Sequence, residues 1–159
     1  MTNLADHLST FLREHLPCER GASQHTCEAY AYTFQLFVCF VAHHLKTQPS
    51  KLTLEDLDVS LVVDFLNQLE KIRGNSPRTR NARLAGIKAF FRFLEYRLPS
   101  ALDQSRRIHS IPMKKIDEKF LPRKKCRHYL IRQIQEQPQG YVIERCFILL
   151  LLLGFEFPN

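Results

Sequence analysis

Apolar residues return every three or four positions through most of the first hundred residues. Leu4, Leu8, Phe11, Leu12 and Leu16 form the first stripe and predict an amphipathic helix ended by Pro17 and Gly21. The second stripe, Tyr30, Phe34, Phe37, Val38, Val41 and Leu45, follows a candidate N-cap at Ser23 and runs to the break at Gln48-Pro49-Ser50. Glu55, Asp56 and Asp58 suit a helix start, where negative charge opposes the macrodipole. Leu61, Val62, Phe65, Leu66, Leu69 and Ile72 then predict a third helix that Gly74 stops. The fourth has the clearest beginning: Ser76 caps, and Pro77 takes the first helical position, where its missing N–H costs nothing. Its periodicity lasts to Leu98, just ahead of Pro99. No segment of this half alternates with the period of a strand. Residues 1–98 are therefore expected to be an all-α unit in which four helices share one core.

Beyond residue 98 the pattern changes. Residues 99–119 have little periodicity, many bases and two prolines, and read as an extended basic linker. A short helical pattern follows over about residues 123–135, then a turn at Gln137-Pro138-Gln139-Gly140 and an apolar helix over about residues 142–153. Two helices in forty residues are too few for an independent core, so residues 120–159 are expected to begin a larger second domain that is incomplete. The apolar run 147–153 is far shorter than the ~20 residues that cross a bilayer.

Charge sharpens this picture. The chain has 159 residues, is 45% hydrophobic and carries a formal net charge of +7. Residues 71–132 hold 18 of the 23 Lys and Arg but only four acids, so that stretch is +14 and the remainder is −7. Such asymmetry points to a polyanion, with duplex nucleic acid ahead of an anionic membrane. A solvated basic surface without a partner is the plain alternative. Five scattered cysteines without a Cys-x-x-Cys pair, and no secretory apolar region, predict reduced thiols and a cytoplasmic protein. Cys39 and His43 share a helix face, but no second pair at ligand spacing accompanies them, so no metal is expected. No Gly-rich phosphate loop or paired nucleophile stands out, so neither a cofactor nor a small-molecule substrate is expected.

The basic residues of the fourth helix fall on one side of it. At about 100° per residue, with Leu84 at zero, Ile87, Phe91, Leu94 and Leu98 lie between about 280° and 340°. Arg78, Asn81, Lys88 and Arg92 lie between about 40° and 120°, away from that core side, with Ala85 and Ala89 in or beside the same arc. Small residues between long basic ones let a helix backbone enter a groove while arginines reach phosphates or guanine and an asparagine reaches adenine. Alanine also favours any helix, so this spacing fits a merely solvated face too. Arg80 and Arg83 flank the buried side and are expected to snorkel, or to contact a neighbouring helix or a phosphate. The first turn of the second helix, Ser23 to Thr26, offers phosphate donors, although N-capping explains Ser23 equally well.

These residues resemble a known family. The run Ser76-Pro77-Arg78-Thr79-Arg80-Asn81-Ala82-Arg83-Leu84-Ala85-Gly86-Ile87-Lys88-Ala89-Phe90-Phe91 is similar to the last helix of the N-terminal core-binding, SAM-like domain of tyrosine recombinases, the phage integrase family. Ser23, Thr26 and Tyr30 followed by Phe37 and Phe40, and the lead Leu52-Thr53-Leu54-Glu55-Asp56-Leu57, fit as well. The resemblance implies an all-α four-helix domain that clamps duplex DNA together with a C-terminal catalytic domain, the fourth and second helices facing the major groove. Carried over by position, it implies DNA contacts at Arg78, Asn81, Lys88 and Arg92, with Thr26 and His25 from the second helix. Lys114 and Lys115 of the linker would follow the backbone, and Arg123, Lys124 and Lys125 would open the second domain.

For chemistry the chain departs from that family. A first catalytic arginine is expected in a turn like Thr-Gly-Leu-Arg, and the matching stretch here is Leu153-Gly154-Phe155-Glu156. Glu156 places a carboxylate where a guanidinium would neutralise the transition-state phosphate. Tyr129 and Tyr141 precede the apolar helix and do not match the nucleophile by position. The expectation is a DNA-binding, recombination- and integration-related protein, not an enzyme, with no catalytic residue of its own. Two alternatives accompany it: a fragment of an active recombinase that cleaves and rejoins DNA through a phosphotyrosine, and an interaction module whose apolar C-terminal helix meets another copy or a full-length recombinase.

Overall fold

A computed structural model describes residues 3–116. They form a bundle of five helices: α1 (Leu4–Thr10, continued by a π-helical segment Phe11–Glu19), α2 (Gln24–His44), α3 (Val59–Lys71), α4 (Pro77–Arg97) and α5 (Leu102–His109). No strand forms among the described residues, and one isolated bridge, Asn3 with Thr53, ties the start of the chain to the lead into α3. The all-α expectation holds.

The caps fall where the sequence puts them. Ser23 Oγ accepts from Thr26 N and Ser76 Oγ from Thr79 N, both at 3.3 Å, and Pro77 opens α4. Asp58 stands at the N-cap of α3, and Gly74, at φ 61°, turns the chain after it. In the lead, Asp56 Oδ2 accepts from Thr53 N and Oγ1 at 2.8 and 2.9 Å, a closed turn that sends Leu52, Leu54 and Leu57 into the core. The first helix corrects the reading at Pro17, which does not end it. Hydrogen bonds there step to the fifth preceding residue, as Arg20 N to His15 O at 2.9 Å, and this wider turn holds Pro17 inside the helix to Glu19.

The core is aromatic. Phe90 packs edge-on to Phe11 and Phe34 at ring distances of 5.3 and 5.2 Å, and Phe37 meets Phe65 at 5.1 Å, joining α1, α2, α3 and α4. At the α2–α4 crossing Gly86 faces Tyr30; a Cβ there would stand 3.4 Å from the ring.

The segment read as an extended linker is half helical. Pro99–Ala101 form a 3-10 turn and α5 packs back on α3 and α4, with Ser105 and Ile108 wholly buried and Ile111 nearly so. Gln104 Nε2 donates to Leu54 O and Leu57 O at 2.8 and 2.6 Å, and Ser105 Oγ to Glu95 Oε1 at 2.6 Å. The apolar spacing Ala101, Ile108 and Ile111 is too sparse to register as a stripe, yet it fills the gap between α3 and α4. Residues 112–116 follow without regular secondary structure. The two helical patterns at 123–135 and 142–153, Lys124 and Glu156 lie outside the described residues.

Cys18 and Cys27 carry free thiols, and burial raises the pKa of Cys27. Among the described residues no helix is long and apolar enough to cross a membrane, and no group of three His, Cys, Asp or Glu side chains could hold a metal ion.

Candidate nucleic-acid interface

α4 is enclosed on three sides. Its core side meets α1, α2 and α3, and one flank is covered by α5 and the chain that follows it. What remains open is a narrow strip of Arg78, Ala82, Ala85, Ala89, Arg92 and Tyr96, in which Ala85 and Ala89 are half-buried and the other four exposed. On the helical projection these six fall between about 80° and 160°. Arg78 and Arg92 have no hydrogen bond or ion pair among the described residues, so both guanidinium groups are free for an outside anion.

The other members of the predicted arc are turned inward. Asn81, 7% exposed, donates Nδ2 to Lys114 O at 2.7 Å and accepts from Lys114 N at 3.0 Å, so its amide is not available to an adenine. Lys88 donates Nζ to His109 O and Ile111 O at 3.0 and 2.6 Å, and burial lowers its pKa. The projection put both on the solvent side, away from the core; the returning chain, with Ile108 and Ile111 buried beneath it, covers that flank instead.

Arg80 and Arg83 also serve the fold. Arg80 is buried with Nε 3.6 Å from Glu70 Oε2, and its Nε and Nη1 make no hydrogen bond. Arg83 donates Nη1 to Ala29 O and Thr33 Oγ1 on α2, so of the three contacts expected for it the neighbouring helix is the one it makes. Thr26 is half-buried, its Oγ1 paired with Ser23 Oγ at 3.0 Å; with Phe11, His15, Arg20, Tyr30 and Ala89 it lines a cavity of about 290 Å³. His25 is fully out in solvent, 3.6 Å from Glu28 Oε2. Lys114 Nζ pairs with Glu70 Oε2 at 2.6 Å, while Lys115 is exposed and unpaired among the described residues.

Three exposed residues escaped the sequence reading. Lys71, the last residue of α3, and Arg73, on the turn before α4, make no ion pair among the described residues. Tyr96 stands 85% exposed at the far end of the strip. Its position at about 120° is on the arc, but a tyrosine adds nothing to the pattern of basic charge that marks it.

The last long helix of this five-helix unit thus presents a narrow open strip that carries Arg78 and Arg92. Residues 9–97 match the family model for the phage integrase N-terminal SAM-like domain, and the chain belongs to that tyrosine recombinase family. It is similar to two proteins of Sinorhizobium fredii that carry the name integrase/recombinase, y4rC and y4rD. Identity to y4rC is 38% over 71% of this chain and 34% of that protein. Identity to y4rD is 36% over 70% of this chain and 40% of the relative. The chain thus spans between about a third and two fifths of the length of these relatives. No solved structure matches it significantly.

Proposed function

We propose that this chain binds duplex DNA in the cytoplasm through the open strip of α4, and that it does not cleave the strand by itself. The observation that carries the binding reading is the pairing of free Arg78 and Arg92 at the two ends of an alanine stripe. They lie fourteen residues apart, about 21 Å along the helix axis. Three small side chains between them leave the α4 backbone free to approach a major groove, while both arginines reach for phosphates on its walls. Membership of a recombination family supports the same partner.

Catalytic inactivity rests on the sequence. Glu156 occupies the place of the first catalytic arginine and would repel the charge that develops on the phosphate.

A salt titration of DNA affinity tests the strip. Replacing Arg78 and Arg92 together by alanine is expected to flatten the slope of log affinity against log salt by ~1.8, at ~0.9 per phosphate contact. An unchanged slope removes the assignment. Incubation with a nicked suicide duplex is expected to leave no covalent protein–DNA adduct; an adduct formed by this chain overturns the inactive reading.

A further inference from the structure

Beside the open strip, the flank of α4 holds a segment of the same chain by its backbone. Asn81 uses both halves of its amide on one residue, donating to Lys114 O and accepting from Lys114 N. Lys88 spends its ammonium on His109 O and Ile111 O, carbonyls at the end of α5 that the helix leaves without partners. Ile108 and Ile111 are buried beneath, and Lys114 Nζ is tied to Glu70. Pro112 has no N–H to satisfy and disfavours helical geometry at Ile111, so α5 does not continue past this point.

The spacing of the two docking points matches the strap they hold. Lys88 to Asn81 is seven residues, about 10.5 Å along α4. Ile111 to Lys114 is three residues, which can span up to about 10 Å. The strap therefore runs back along α4 towards its N-terminus, from Lys88 to Asn81. Lys115 is the next residue, one further step in the direction of Arg78, which lies about 4.5 Å beyond Asn81 along the axis.

We infer that Asn81 and Lys88 are positioning residues, a two-point dock that seats residues 109–114 on α4 and delivers Lys115 beside Arg78 as a phosphate-binding pair. The DNA part rests on the reading of the α4 strip given above; the dock itself does not. A lysine on a free tail would also be drawn to DNA, but its contribution would not depend on Asn81. A docked lysine presents its charge at one place, next to a fixed arginine, at no ordering cost on binding.

The test uses the full chain and two substitutions at one site. Asn81→Leu removes donor and acceptor, whereas Asn81→Asp keeps an acceptor for Lys114 N–H. Amide exchange at Lys114 is expected to quicken about tenfold or more in Asn81→Leu and to quicken less in Asn81→Asp, which keeps the acceptor but loses the donor to Lys114 O, with α2 core amides unchanged in both. An unaltered Lys114 rate in Asn81→Leu overturns the dock, as does equal acceleration in the two variants. For the pairing, Lys115→Ala is expected to lower the salt slope on a generic DNA duplex by ~0.9 in the wild-type background and by much less in Asn81→Leu. Equal losses in the two backgrounds overturn the pairing. Absence of any binding by the wild-type chain overturns the phosphate role together with the DNA reading, and the exchange rates distinguish that outcome from failure of the dock.

Discussion

Arg83 on α4 and Thr33 on α2 are joined by a hydrogen bond from Nη1 to Oγ1 at 3.0 Å, in a position that is closed to water. Thr33 donates its own proton to Ala29 O at 2.7 Å, which leaves its oxygen free to accept, and Arg83 Nη1 reaches Ala29 O as well at 3.1 Å. The guanidinium lies 4.8 Å from the centre of the Tyr32 ring. Burial lowers the pKa of Arg83, the charge of Tyr32 opposing it. No carboxylate pairs with Arg83 among the described residues, where this cation is held by dipoles and a ring face.

Truncation there should be costly and apolar replacement less so. Arg83→Ala is expected to lose about 2–4 kcal/mol in urea unfolding, through the cavity and the lost bridge between α2 and α4. Arg83→Met fills most of the volume without a buried charge, and is expected to lose only about half as much. A loss below ~1 kcal/mol in Arg83→Ala would contradict the bridging role.

One turn along the same crossing, Gly86 offers a gain. An added Cβ would meet Tyr30 Cδ1 at 3.4 Å and Thr33 Cγ2 at 3.7 Å, which is contact without overlap. Gly86→Ala should therefore keep the packing and recover helix propensity, raising stability by about 0.5–1 kcal/mol in the same measurement. Gly86→Leu should push α2 away and lower it. Destabilisation by alanine would show that the crossing is tighter than these distances.

A third expectation concerns acid. Glu19 receives hydrogen bonds from His15 Nδ1 and, at 3.0 Å, from Arg97 Nη2, tying the end of the π-helical segment to α4. The His15 hydrogen bond first, then the charges of His15 and Arg97, hold the Glu19 carboxyl below its usual range. A depressed folded pKa stabilises the protein above the unfolded carboxylate value of about 4.3, and that stabilisation is lost as pH falls through the folded value. The Tm of wild type should exceed that of Glu19→Gln near pH 6, with the gap closing by about pH 3. The effect is small because the pair is exposed to solvent. A gap that persists undiminished in acid would count against the interaction.

Much of the fold was legible along the chain because its signals are local. Ser23 and Ser76 cap the helices they precede, and every apolar residue assigned to the fourth stripe from Leu84 to Leu94 is buried. Pro17 misled because a widened turn accommodates it, and periodicity at 3.6 residues carries no sign of a π-helical segment. α5 was missed for a related reason. Its helix is short, its inner face includes the polar Ser105 and Gln104, and its partners lie in the lead to α3 some fifty residues earlier.

The sequence by itself determined the first four helices, the buried side of α4 and the concentration of basic charge, because those follow from spacing and from side chains a few residues apart. It also placed Asn81 and Lys88 opposite the core. Only the tertiary structure decided which of the outward residues remain outward. The chain beyond α4 folds back and takes Asn81 and Lys88 for its own backbone, α2 takes Arg83, and Glu70 lies against Arg80. A helical projection resolves one helix against an assumed single core, but a helix in a bundle has several neighbours, and each of them claims polar groups that would otherwise face solvent.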